Sequence, residues 1–219
     1  MARSGVPSRP RASCSAGSNT RRALIEAAVK VLKSRGFNGA SARAIATEAG
    51  VNQALVFYHF GTVAELLLAA LDEVSARRLR RYTTELADVT NSVSLIALAT
   101  KVFREDIDSG DIAVLAEMIA GSSSAPELGA EVAKRIAPWK DFASVAVESG
   151  LAASGLASLL PIGAVSHAAV ALYLGLEMLS HLEADRAGAT LLFEQLARLA
   201  PVLDAIRVPA KTTDQGGMQ

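Results

Sequence analysis

Apolar residues recur along most of the chain with a spacing of three or four, the period of a helix with one buried face. Leu24, Ala27, Ala28, Val31 and Leu32 form the first stripe, while Glu26, Lys30 and Lys33 point away from it. Gly36 stands where a helix C-terminal glycine belongs. Ser41 can cap a short helix that Gly50 stops, and Asn52 another that runs to about Phe57. Thr62 and Glu65 have capping-box spacing and open a long helix of about 24 residues. The stripe returns at Leu95, Leu98, Ala99, Val102 and Phe103, then at Ile112, Leu115, Ala116 and Ile119. Ser124 with Glu127 forms a second capping box, ahead of a helix that Pro138 is expected to kink. Two more helices are predicted over residues 161–182 and 187–206. No stretch alternates with period two for long enough to need a strand. The expectation is an all-α fold of about nine helices.

Composition narrows the class. Of 219 residues, 51% are hydrophobic and only 5% aromatic, so the core is aliphatic and Ala-rich. The single Cys14 excludes a disulfide scaffold and a cysteine-based zinc site, and fits a reducing, cytoplasmic setting. Residues 1–19 lack the apolar segment of a secretory signal and read as a basic arm. Residues 149–176 carry no Asp, Glu, Lys or Arg and are long enough to span a membrane. Pro161, His167 and several Ser and Gly break that run, which points to an interface helix instead. The zero net charge hides a division. Residues 1–61 hold nine Lys or Arg against Glu26 and Glu48, a net of +7, which residues 62–219 cancel. Such asymmetry pairs a basic module aimed at a polyanion with an acidic body that has another task.

The basic segment has helix-turn-helix dimensions. Its turn is Glu48, Ala49, Gly50 and Val51, where Gly50 supplies the backbone freedom to swing one helix across another. Ile45, Ala46, Val51, Val56 and Phe60 supply a small core beneath it. Residues 36–60 read GFNGASARAIATEAGVNQALVFYHF, and they resemble the DNA-binding domain of TetR-type repressors through to residue 71. The resemblance implies that the third helix enters the major groove with its first turn nearest the bases. Gln53 stands there, with an amide that can pair twice with adenine, and Arg43 matches a base-contacting position suited to guanine. Ala54 and Leu55 offer apolar contact to thymine methyls. Ser41, Asn52, Tyr58 and His59 match phosphate-contacting positions, although Ser41 and Asn52 serve equally well as caps and His59 as a brace of the core. Thr62 opens the fourth helix, whose free N–H groups are anion donors. The chain departs from the family pattern at Leu55, at Phe57 in place of Tyr and at Val63 in place of Lys. Those changes imply weaker anchoring to the backbone, which Arg3, Arg9, Arg11, Arg21 and Arg22 can offset.

The boundaries expected are a disordered basic arm over 1–18, the helix-turn-helix domain over 19–65, a ligand-binding and dimerisation domain over 66–207 and a flexible tail over 208–219. In the family the last two helices pair with their twofold copies. Two stripes suit that here: Ala164, Ala168, Ala171 and Gly175, and Leu192, Leu196, Leu199 and Leu203. Relatives also bind an inducer among the middle helices, for which Phe103, Met118, Trp139, Phe142 and Tyr173 are candidate lining residues. Few charges are expected on those inward faces, so the effector expected is small and largely apolar. Arg77, Arg78, Arg80 and Arg81 read as a solvated face balanced by Glu73 and Glu85. The chain has no Gly-rich phosphate loop, no nucleophile elbow and no His-Glu-x-x-His motif, and its three His are scattered. Neither an enzyme nor a metal or cofactor site is therefore expected. The function expected is a ligand-released repressor that binds a palindromic operator as a homodimer. The alternative is a helical ligand-binding or protein-interaction module whose specific DNA binding is weakened or lost.

Overall fold

The computed structural model describes residues 12–123, 125–182 and 187–206, with the side chains of residues 12–16 and 181 excepted. Arg3, Arg9, Arg11, the Ser124 cap and the tail over 208–219 lie outside the described residues. Among those described there are nine α-helices and no strand: α1 (Ala12–Gly39), α2 (Ala42–Ala49), α3 (Ala54–Phe60), α4 (Val63–Leu86), α5 (Ser92–Ser109), α6 (Asp111–Ser122), α7 (Pro126–Ala152), α8 (Ile162–Leu182) and α9 (Ala187–Ala205). A single 3-10 turn, Leu156–Ser158, precedes α8. The backbone is already helical from Ala12, inside the stretch expected as a disordered arm; residues 12–18 form a proline-free run behind Pro10.

The chain divides into two compact units, residues 1–74 with 113–129, and residues 75–112 with 130–219. In the first, Leu24, Ala27, Ala28, Val31 and Leu32 are buried on α1 as their spacing requires, and α2 packs on α1. Gly36 leaves the helix at φ 67° and ψ −177°, a backbone that only glycine adopts without strain. Ser41 caps α2, and Gly50 ends it in the left-handed conformation at φ 67°. Helix α3 runs on to Phe60, beyond the Phe57 expected, because no break occurs before Gly61. Ile45, Ala46 and Val56 are buried, while Val51 and Phe60 are half-buried at the edge of that small core.

In the second unit α5 packs against α9. Tyr82, Val89, Leu98 and Val102 form one buried cluster, on which Trp139 and Phe142 pack. Phe103, Ala189 and Phe193 form another, joined by Ile107 and Leu196. Tyr173 touches both. Gly150 on α7 admits the Leu95 side chain so closely that a Cβ there would lie 2.7 Å from it. Helix α8 is apolar enough over Ile162–Ser180 to cross a membrane by length and composition, and only 11% of that window is buried within the protein.

Candidate nucleic-acid interface and the buried body

The expected DNA-contacting residues sit on or beside α2, α3 and the start of α4, and several have a local structural task. Ser41 Oγ accepts from the Ala44 N–H (3.2 Å), Asn52 Oδ1 from the Ala54 N–H (2.8 Å) and Thr62 Oγ1 from the Glu65 N–H (3.1 Å). These bonds satisfy N–H groups that a helix start leaves without partners. The Ser41 and Thr62 hydroxyls keep their own protons for an outside acceptor such as a phosphate. Gln53, at the N-cap position of α3, makes no capping bond, so its exposed amide is not committed to the helix end. Arg43 is exposed on α2 and makes no ion pair among the described residues, whereas Lys30 reaches Glu48 at 3.4 Å. Ala54 is exposed and Leu55 half-buried. Tyr58 is 80% exposed, its ring edge-on to His59 with centroids 4.9 Å apart. Arg21 lies over the Phe60 ring at 5.0 Å, covering the apolar edge with a cation. A short helix held across another by a glycine turn, with an uncommitted amide at its start and a guanidinium nearby, is a helix-turn-helix arrangement.

Known proteins resemble this segment. Residues 24–70 match the family of bacterial regulatory proteins, tetR family. Uncharacterized HTH-type transcriptional regulators of Mycobacterium bovis and Mycobacterium tuberculosis are each 27% identical over 105 residues, 48% of this chain and 54% of theirs. The chain thus spans about half the length of the curated relatives it matches. Among solved structures, the fatty acid degradation regulator FadR from Bacillus halodurans aligns with a TM-score of 0.70 at 16% identity, over 87% of this chain and 97% of that one. FadR from Bacillus subtilis, in complex with stearoyl-CoA, aligns at 0.67 and 15%, over 84% and 97%. At such identities the structural likeness establishes the all-α fold. Residues 24–70 are thus similar to the tetR family of bacterial regulatory proteins, and the rest of the chain shares the all-α fold of the solved structures.

The body departs from expectation in its charges. Arg78 is not part of a solvated face: it is 7% exposed, and its guanidinium bonds both carboxylate oxygens of Asp106, with Nε to Oδ1 at 2.7 Å. The Tyr173 hydroxyl donates to the same carboxylate, and Tyr82 lies 3.4 Å from it. The guanidinium lies 4.4 Å over the Trp139 ring, whose Nε1–H donates to Ser75 Oγ at 2.8 Å. Glu177 is buried beside Tyr173. Burial opposes the Arg78 charge most strongly, but Asp106 together with Tyr173 and Tyr82 outweighs it and the net shift is upward. Burial, and after it Asp106, pushes both Tyr82 and Tyr173 well above the ordinary phenol range. Arg77 pairs with Asp111 and Arg81 with Glu105, while Glu85 takes Lys101. Arg77, Arg80 and Arg81 are exposed as expected, with Asp111 and Glu105 as the balancing acids of Arg77 and Arg81, and Arg78 alone departs from the solvated face. The signal was in the stripe itself: Leu67, Leu71, Val74, Arg78 and Tyr82 follow the helical repeat, and all are buried.

The candidate effector residues divide. Phe103, Trp139, Phe142 and Tyr173 lie in the second unit, Met118 fully buried in the first. Of these only Phe103 lines the groove of about 280 Å³ between α5 and α9, with Ile107 and Phe193. Its other lining residues are Thr100, Arg104, Asp108 and Thr190. Among the candidate interface residues, Ala164, Ala168, Ala171, Leu199 and Leu203 are exposed, Gly175 and Leu192 are half-buried, and Leu196 packs on the Phe103 cluster instead. The outward apolar face of α9 is Leu191, Leu199, Val202 and Leu203, and α8 adds Leu172, Met178, Leu179 and Leu182.

Proposed function

We propose that the chain is a cytoplasmic DNA-binding transcriptional repressor that binds a palindromic operator as a homodimer and is released by a small effector. The observation that carries this reading is the uncommitted Gln53 amide at the start of α3, with Arg43 exposed on α2, in a segment of net +7. Bases would be read by Gln53 and Arg43, with Ala54 and Leu55 against thymine methyls; Ser41, Asn52, Tyr58, His59 and Thr62 would hold phosphates. Leu179 and Leu199 would lie at the twofold interface. The aromatic floor of the α5–α9 groove supports a largely apolar effector, and its polar rim a head group. The long-chain acyl thioester in the Bacillus subtilis relative has that make-up. Ligand would lower operator affinity by binding the unbound conformation better, and a difference of about 1–3 kcal/mol is enough.

The test is selection of bound fragments from sheared host DNA at about 0.15 M salt, where non-specific phosphate binding is already weakened. The reading requires a shared palindrome with half-sites one helical turn apart. Random fragments, or none, would overturn it in favour of an interaction module.

A further inference from the structure

We infer that Glu117 and Gly121 on α6 form a latch that positions the reading head for its operator, a role that rests on the DNA-binding function proposed above. The corner it holds is the break in α1. Leaving the helix at Gly36 turns the next N–H, that of Phe37, away from the helical ladder, and Glu117 Oε2 accepts it at 2.7 Å from 80 residues away in the chain. A Cβ on Gly36 would meet that same oxygen at 2.7 Å, so the carboxylate lies directly against the corner. One helical turn further along α6, a Cβ on Gly121 would stand 2.4 Å from the Phe37 ring, which therefore lies flush on the α6 backbone. One residue is thus held at two points, by a charge-assisted hydrogen bond and by ring packing.

Its consequence runs straight into the reading elements. The Phe37 carbonyl accepts from the Ala40 N–H at 3.1 Å, closing the turn that delivers Ser41, the cap of α2. Arg43 follows within the first turn of α2, and the α2–α3 turn depends on where α2 begins. Phe37 is therefore the hinge point of the whole reading motif, and α6 is what fixes it. Glu117 and Gly121 are positioning residues, since neither stands among the residues expected to meet DNA. The compact unit that contains the head includes residues 113–129 for the same reason.

The experiment uses the full chain with Glu117→Gln, Glu117→Ala and Gly121→Ala. It reads Phe37 amide exchange, operator affinity, affinity for unrelated DNA and the thermal midpoint. Glu117→Gln keeps an oxygen acceptor and is expected to hold operator affinity within about twofold. Glu117→Ala is expected to speed Phe37 exchange and weaken operator binding by about tenfold, the scale of one hydrogen bond to a charged group. Binding to unrelated DNA, which needs only phosphates, should change little. Gly121→Ala should reproduce the Glu117→Ala pattern by displacing the ring. Unchanged Phe37 exchange in Glu117→Ala overturns the contact. Faster exchange with unaltered operator affinity, or an equal loss on both DNAs together with a lower thermal midpoint, overturns the positioning role. A parent chain that selects no sequence overturns the DNA-binding reading and this role with it, while the exchange data still report whether the contact forms.

Discussion

A single misplaced charge shows what the residue scale controls. Arg78 and Asp106 are both buried, and each makes the other tolerable. Removing one partner leaves a charge out of water with nothing to meet it, so Asp106→Leu should lower the unfolding free energy by about 3–5 kcal/mol. Replacing both partners with apolar residues of similar volume should cost far less, and urea titration of the single and double variants compares the two. The same carboxylate, with burial ahead of it, keeps the Tyr82 and Tyr173 phenols protonated beyond their normal range. Above about pH 10 the unfolded chain ionises these phenols while the folded chain does not. Their stabilising contribution is therefore complete below that pH and is lost as pH rises further. Urea midpoints at pH 9 and 11 should fall in the parent and fall less in Tyr173→Phe. On the DNA side, Gln53→Ala and Arg43→Ala should each cost about 1–3 kcal/mol of operator binding and relax preference at one base position. Competition binding against single-base operator variants reads that out, and equal loss on every sequence would remove these residues from the reading role. Gln53 and Arg43 could be nominated from the sequence because their family positions and residue types agree, and both side chains are exposed. Arg78 could not be read this way, because a run of four arginines within five positions looks like a wet face unless the apolar stripe is followed through it.

Elements were legible wherever a local signal ended them. Ser41 and Gly50 bound α2, Thr62 opens α4, and α8 and α9 begin and end within a residue or two of their expected limits. These signals are chemical and act on neighbours, so they can be read from neighbours. The Phe37 corner and the cap of α5 could not be, because half of each comes from a distant segment. At the start of α5, Asn91 and Ser94 form a capping box. Asp204 in the last turn of α9 adds a carboxylate that accepts from the Ser92 N–H at 2.8 Å and the Val93 N–H at 3.3 Å. That side chain thus serves the N-terminus of one helix from the C-terminus of another and reinforces the α5–α9 packing. A negative charge is favoured there by the helix dipole. Asp204→Ala should therefore cost about 1 kcal/mol, as loss of a cap does, and Asp204→Asn less, because an acceptor survives. Thermal unfolding of both separates the charge from the hydrogen bond. If both variants match the parent, Asn91 alone satisfies the helix start.

At the scale of the whole molecule, the exposed apolar faces of α8 and α9 are where self-pairing is predicted. Leu172, Met178, Leu179 and Leu182 are exposed on one helix, and Leu191, Leu199, Val202 and Leu203 on the other. A face of that size left in water is a liability for a monomer, and self-pairing about a twofold axis is the commonest remedy. The stripe expected on α9 divides between the two sides of the helix. Leu199 and Leu203 face outward, but Leu196 turns in toward Phe103, because α5 claims that side of the helix. The substitutions that test pairing are therefore Leu179→Glu and Leu199→Glu, which place a charge on the outward faces without touching the buried clusters. Sedimentation should find the parent at twice 22.8 kDa and the double variant at the single mass, with helicity unchanged. Two heads on one body bind the second half-site at a high effective concentration, so separating them should lower operator affinity by about 100-fold or more while each head still binds a half-site weakly. The parent's thermal midpoint should also rise with protein concentration, and the variant's should not. A double variant that still sediments as a dimer would place the interface elsewhere. A parent that sediments as a monomer but binds a palindrome would mean that DNA itself assembles the pair.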